Sequence, residues 1–347
     1  MMKRMRFFAL LLALTLVAGC GPKPADPDPN GSANNGGENN GGENNGGENH
    51  GGNATVEIKG TIGISVQNLT NPFFKLIADK VEEEAAKHGY KTLKRDAQQK
   101  VDNQKTQVKE FLVKDVAAII LCPADTKAIG TVIKEANEKG IPVFTIDTVC
   151  GDPDAKVVFH VGTDNFQGGE VAGQAMIDAL GEGGGKVAIL EFKDVDSCID
   201  RVKGFTKKID EHNESATNKI IISGHYECLG DAAAGQNATR DALNSTPDLV
   251  GVFAINDPAA LGAYAALEAV NKADAVTIVG FDGQPEGKQG VKDGALFDTP
   301  TQFPDKMAVE SVAAMMKYFD GEKVEPSMLI PTAAYRKATA DQDPSLE

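Results

Sequence analysis

An α/β architecture of two doubly wound, parallel-sheet lobes is the fold class this sequence predicts, and three observations predict it. From Glu57 onward, short apolar runs rich in β-branched residues alternate with stretches of helical periodicity. The runs are nearly continuous in apolar residues, as parallel strands buried on both faces require, and do not alternate as half-exposed strands do. The chain has 347 residues, which at roughly 150 residues per domain suggests two folded units.

The elements follow in order. Met1–Gly19 reads as a secretory signal: Lys3, Arg4 and Arg6 form a basic head, and Phe7–Val17 is apolar except for Thr15. That run is shorter than the roughly 20 residues a membrane-spanning helix needs. It ends in Leu16-Val17-Ala18-Gly19-Cys20, which resembles a bacterial lipoprotein cleavage box with Cys20 as the lipidated residue. Cleavage removes three positive charges and takes the net charge from −15 to −18. Residues 20–55 are read as the lipidated Cys and a disordered linker. The pentad Asn-Asn-Gly-Gly-Glu occurs there at 34–38, 39–43 and 44–48, and such a composition cannot bury a core. A Gly-rich chain of this kind spans roughly 30–35 Å. The expected address is the periplasm or cell surface, anchored to a membrane by the N-terminal lipid.

The first strand is expected over Thr61–Val66 and a helix over Phe73–Lys87. Further strands are expected at Val116–Leu121, Val143–Ile146, Lys186–Leu190, Lys219–Ile222, Val250–Ala254 and Val276–Phe281. Helices of crossover length are expected at Asp125–Lys139, Pro258–Val270 and Pro304–Phe319. One unit covers about Val56–Gly162 and a second about Thr163–Gln302.

Composition narrows function. The acidic balance, with 50 Asp+Glu against 35 Lys+Arg, lacks the basic footprint that nucleic acid demands. Gly181-Glu182-Gly183-Gly184-Gly185-Lys186 imitates a phosphate loop but is one residue short, carries Val187 in place of Ser or Thr, and precedes a strand. It is read as a helix stop. No metal site or cofactor motif is read.

Ligands of open α/β sheets sit beyond the carboxyl ends of the strands, so the loops there carry the candidate residues. These are Asn71, Phe73 and Phe74 after the first strand, Asp147 after Ile146, and Arg201 at the start of a helix. Asn256 follows Ile255, with Asp257 read as the helix cap that leaves Asn256 free. Asp282 follows Phe281, and Gln302 closes the set. Thr148 and Tyr226 are possible additions. Carboxylates accept from hydroxyls, Arg and amides donate to them, and rings cover the C–H face of a sugar, so the set suits a neutral polyhydroxyl ligand. Asp147 and Asp282 could be drafted as an acid–base pair, but Arg201 nearby is expected to keep both ionised.

The segments Asn71-Pro72-Phe73-Phe74, Ile146-Asp147, Asp200-Arg201-Val202-Lys203-Gly204-Phe205, Asn256-Asp257, Gly280-Phe281-Asp282-Gly283 and Gln302-Phe303-Pro304-Asp305 occur in one order. In that order they resemble the ribose-binding type of periplasmic sugar-binding proteins, which serve ABC transporters and share a fold with the lactose-repressor family. The resemblance implies a type I periplasmic binding protein: two lobes joined by a three-strand hinge, closing over one sugar. It implies an N-terminal lobe of residues 56–163 with 303–331 and a C-terminal lobe of 164–302 with 332–347. Asn71, Phe73, Phe74 and Asp147 then belong to the first lobe, Arg201, Asn256 and Asp282 to the second, and Gln302 to the hinge. ABC permease subunits are the implied partner, the chain is expected to be a monomer and not an enzyme, and a sugar-sensing receptor serving a membrane sensor kinase is the alternative. Two positions depart from the pattern: Thr148 stands where the family has Arg, and Gly230 where it has Phe, with Tyr226 close by. A pentose, a hexose or a polyol all remain open.

Four cysteines remain beyond Cys20. An exported chain sits where disulfides persist, and the pairs Cys198–Cys228 and Cys122–Cys150 are expected because each stays within one lobe.

Overall fold

The computed structural model describes residues 58–346. The signal segment, Cys20 and the linker lie outside the described residues.

Two fully parallel sheets form the frame. The first contains β1 (Gly60–Val66), β2 (Tyr90–Asp96), β3 (Ala118–Leu121), β4 (Val143–Ile146) and β5 (Phe159–Thr163). The second contains β6 (Gly185–Glu191), β7 (Ile220–Glu227), β8 (Leu249–Ala254) and β9 (Thr277–Val279), in the order β7-β6-β8-β9. A last strand, β10 (Ser327–Ile330), returns to the first sheet and completes the order β10-β5-β4-β3-β1-β2.

Helices α1 (Pro72–Lys87), α2 (Val101–Val113) and α3 (Gly130–Glu138) connect the first strands, and α4 (Asn165–Leu180) leads away from β5. In the second half come α5 (Asp196–Ser215), α6 (Ala232–Ser245), α7 (Asp257–Glu268) and α8 (Pro285–Asp293). They are followed by α9 (Pro304–Phe319) and the short α10 (Lys337–Ala340). Helix α9 packs on α1 and against β4 and β5, while α10 packs on α8.

The central strands form because their residues are buried on both sides: all four residues of β3 and of β4 are buried. One face of the first sheet packs Ile64, Ile120 and Phe144 against Ile77 and Met315. The other packs Ile119, Leu121 and Val143 against Phe111 and Ile133. Fully burying such side chains stabilises by about 1.5–3 kcal/mol each. In the second sheet Phe205 of α5 stacks on Phe253 of β8 with ring centroids 4.4 Å apart and planes 6° from parallel, which fixes the helix that carries Arg201.

Three strands escape the sequence reading: β2, β5 and β10. Two of them, β2 and β10, are edge strands that need no apolar run, and β2 reads Tyr-Lys-Thr-Leu-Lys-Arg-Asp. Strand β7, also an edge, continues five residues past Ile222 to Glu227. Helix α3 begins at Gly130, later than the expected Asp125, because the Asp125 carboxylate accepts from the N–H groups of Lys127 and Ala128 at 2.9 and 2.6 Å and closes a separate turn. The Gly-rich decoy is the helix stop it was read as: Gly181–Gly183 form a 3₁₀ turn between α4 and β6.

The chain passes between the two sheets three times: after β5, at Thr301–Gln302, and after β10. These passages lie side by side. Thr301 bridges Asp282 in parallel and Ala333 in antiparallel fashion. Thr163 Oγ1 donates to Gln302 Oε1 at 2.5 Å, and Thr332 N–H donates to Gln167 Oε1 at 2.9 Å.

Candidate functional site

Strand order reverses between β1 and β3 in one sheet and between β6 and β8 in the other, and the loops at these carboxyl ends face a common cleft. In the first lobe Asn71 caps α1: its Oδ1 accepts from Phe73 N–H at 2.9 Å, and its own N–H donates to Asn68 Oδ1 at 2.6 Å. Phe73 is buried in the lobe's core. Phe74 packs edge-to-face on it, with centroids 5.3 Å apart, and is half-buried. The pair therefore divides, one ring in the core and one partly open.

Asp147 follows β4 with φ at +66°. Its Oδ2 accepts from Thr148 Oγ1 at 3.1 Å and from the Cys122 thiol at 3.8 Å. Burial pushes its carboxyl up to about 6, while Arg201 across the cleft pulls it down.

Arg201 in the second lobe is 6% exposed. Its Nη1 donates to Asp282 Oδ1 at 2.9 Å and to Ile255 O at 2.8 Å, and its Nε donates to Asn165 Oδ1 at 2.9 Å. The guanidinium carbon lies 3.9 Å from the centroid of the Phe281 ring. Two acidic residues on the same helix are engaged elsewhere, Asp200 by Lys203 and Glu211 by Lys207. Asp282, with φ at +105°, also accepts from Gln302 Nε2 at 2.6 Å and Gln284 Nε2 at 3.2 Å. The structure thus brings Asp147, Arg201, Asp282 and Gln302 together across the hinge.

Four expectations are corrected. The cap of α7 is Asn256, not Asp257: Asn256 Oδ1 accepts from Ala259 N–H at 3.1 Å, and its Nδ2 donates to Gly230 O at 2.8 Å, so Asn256 is not free. Asp257 points inward, accepting from Thr299 Oγ1 at 2.6 Å and Gln284 N–H at 2.8 Å. Second, Arg201 pulls both cleft carboxylates toward the ionised form as expected, but it is not the dominant influence on them: burial outweighs it and raises both Asp147 and Asp282. Burial, then repulsion from Asp282, raises Asp257 further.

Third, the Tyr226 ring lies back against Gly224, where an added Cβ would meet it at 2.9 Å. The ring beside Gly230 is Phe192, whose Cδ1 is 3.6 Å from the ideal Cβ position. Fourth, Cys122, Cys150, Cys198 and Cys228 are all free thiols, so neither the Cys198–Cys228 nor the Cys122–Cys150 bridge is present. Cys198 and Cys228 pack in the apolar core of the second lobe as small hydrophobes, and burial pushes the Cys228 thiol up to about 12.

Sequence reasoning missed Gln67, Asn165, Gln284 and Phe192. Each lies within a few residues of a strand end or a helix start, which is the signal that could have found them. At the cleft rim a groove of about 420 Å³ is lined from the first lobe by Thr70 and Asn71 and from the second by Pro258, Leu261, Gln284 and Glu286.

Comparison with known proteins agrees with this geometry. A family model described as a periplasmic binding protein domain matches residues 62–323. The ribose import binding protein of Salmonella typhimurium is 34% identical over 273 residues, covering 79% of this chain and 89% of that protein. A periplasmic solute-binding protein of an ABC transporter from Actinobacillus succinogenes, solved with D-allose, superposes with a TM-score of 0.74 at 25% identity, covering 82% of this chain and 100% of that one. A solute-binding protein from Bacillus halodurans, solved with myo-inositol, gives 0.71 at 28% identity over 82% and 97%. With two parallel-sheet lobes, a three-passage hinge and a match along most of its folded residues, the chain belongs to the periplasmic binding protein family.

Proposed function

We propose that this chain captures a neutral monosaccharide or polyol between its lobes and delivers it to an ABC permease without altering it. The observation that carries the reading is the convergence of Asp147 from one lobe on Arg201 and Asp282 from the other. Acceptors and a donor fork facing each other across a hinge suit a ligand covered in hydroxyls. Two carboxylates against one guanidinium disfavour sugar acids and sugar phosphates, because an anion would add a third negative charge in a poorly solvated space. In this reading Cys20 carries the lipid and the linker is the leash of an extracytoplasmic receptor.

Calorimetry of the purified protein against D-ribose, D-allose and myo-inositol is expected to give one-to-one binding to a sugar or polyol recovered unchanged. Scattering is expected to give a smaller radius of gyration with ligand, since one ligand held by two lobes requires hinge closure. A chemically altered product would replace this reading with an enzymatic one.

Binding should also depend on pH through Asp147. A hydroxyl donates to the ionised carboxylate, and the folded group titrates at about 6, above its ordinary 3.8. Below pH 6 a proton must leave as ligand binds, so affinity should fall, by up to about tenfold per pH unit. The unliganded protein behaves oppositely. Between pH 3.8 and 6 the folded state holds a proton that the unfolded state lacks, so Asp147's contribution to stability declines as pH rises through that window. Asp147→Asn should bind weakly and with a shallower profile, the remaining pH dependence coming from Asp282, whose carboxyl burial also raises. Equal affinities at pH 5 and 7.5 would show that Asp147 does not face the ligand.

A further inference from the structure

We propose that Gln67 is a positioning residue of the cleft, fixing the polarity of the Thr148 hydroxyl so that Asp147 presents one carboxylate oxygen to the ligand. The inference rests on the reading of the cleft as a sugar or polyol site and deepens it.

Gln67 directly follows β1, beside the point where strand order reverses. Its Nε2 donates to Pro123 O, beyond β3, at 2.9 Å and to Thr148 Oγ1, beyond β4, at 3.0 Å. The Pro123 carbonyl can only accept, so the amide nitrogen is held on that side. The same nitrogen then occupies the Thr148 oxygen. Thr148 has one hydroxyl proton, which is directed to Asp147 Oδ2 at 3.1 Å. The Cys122 thiol, from the end of β3, reaches the same oxygen at 3.8 Å. Two donors therefore converge on Oδ2, and among the described residues Oδ1 receives none.

Specificity follows from this polarity. Thr148 spends its proton on Asp147 and is not a ligand donor, although it stands in the ligand loop. Asp147 offers Oδ1 alone, an acceptor for ligand hydroxyls on one side. Without Gln67 the Thr148 hydroxyl can turn and give its proton to another acceptor, leaving Oδ2 to compete with Oδ1 for the ligand and blurring the choice between epimers.

The test uses the full chain and whichever of D-ribose, D-allose and myo-inositol binds the wild type most tightly by calorimetry. Gln67→Leu and Thr148→Val should each weaken binding about tenfold or more, the loss expected of a hydrogen bond to a charged group. The double variant should bind no more weakly than Thr148→Val alone, because both changes act through one hydroxyl. Thr148→Ser, which keeps that hydroxyl, should retain wild-type affinity. Wild-type affinity in Gln67→Leu, or losses that add in the double variant, would overturn the proposal. If Gln67→Leu does not fold, the Thr148 pair decides: unchanged affinity in Thr148→Val overturns it as well. A wild type that binds none of the three compounds would instead defeat the reading of the cleft, and that result appears before any variant is made.

Discussion

Arg201→Ala should abolish useful binding and destabilise the protein at once. The side chain is 6% exposed and its partner Asp282 is 9% exposed. Truncation takes the cation from Asp282, leaving Gln302 Nε2 as the donor on its Oδ1, strands the Ile255 carbonyl and Asn165 Oδ1, and uncovers the face of Phe281. Removing one partner of a buried pair costs about 3–5 kcal/mol. The lower end is expected here, because Asp282 can take up a proton. That escape sets a pH signature: its carboxyl is already raised by burial, so the loss of stability should be greater at neutral pH than near pH 5. Affinity should fall at least about a hundredfold, the equivalent of about 3 kcal/mol. Arg201→Lys should be intermediate, keeping the charge but losing the fork that holds three acceptors. Calorimetry with a thermal melt of each variant checks both effects. Affinity within threefold of wild type in a folded Arg201→Ala protein would remove Arg201 from the site.

The second large effect is expected at Gly204, three residues along α5 from Arg201. An added Cβ there would lie 2.0 Å from Phe166 O and 2.9 Å from Glu170 N, both backbone atoms of the facing helix region. The seam is reciprocal, since a Cβ on Gly169 would lie 2.1 Å from Arg201 O. Backbone cannot swing aside as a side chain can, so Gly204→Ala must push α4 and α5 apart. Overpacking of this kind costs about 3 kcal/mol at the upper end of the usual range. That corresponds to a Tm drop of roughly 5–10 °C for a chain of this size. Separation of the helices also carries Arg201 away from Asn165, so affinity should fall together with Tm. Gly183→Ala is the control, because its Cβ would meet nothing within 4 Å. A Gly204→Ala protein with unchanged melting would mean that the two helices slide at little cost.

Much of the fold was legible because burial writes itself into composition. Strands β3, β4 and β8 are apolar runs since both of their faces are covered. The carboxyl end of β4 pointed to Asp147, and the apolar run ending at Phe281 pointed to Asp282, for the same reason. What stayed illegible depends on distant partners. Arg201 has acidic neighbours along its own helix, yet its partner Asp282 lies 81 residues away. Asn256 and Asp257 are both competent caps, and the choice falls to Asn256 because Thr299, 42 residues on, holds Asp257 inward. Gln67 looks like any polar loop residue until β3 and β4 bring Pro123 and Thr148 beside it.

Asp147 and Asp282 share a feature beyond charge: both hold left-handed backbone, at +66° and +105°, a conformation that costs a non-glycine residue on the order of 1–3 kcal/mol. Both are also carboxylates raised by burial. The cleft therefore concentrates backbone strain and burial-raised carboxyls in the same two residues, and the ligand's hydroxyls relieve part of that tension when they arrive. Directed evolution for heat resistance alone, with no sugar present, would be drawn first to these two positions, where glycine or asparagine relaxes the backbone and removes a buried charge. The most thermostable descendants of this chain would thus be those that had forgotten their ligand.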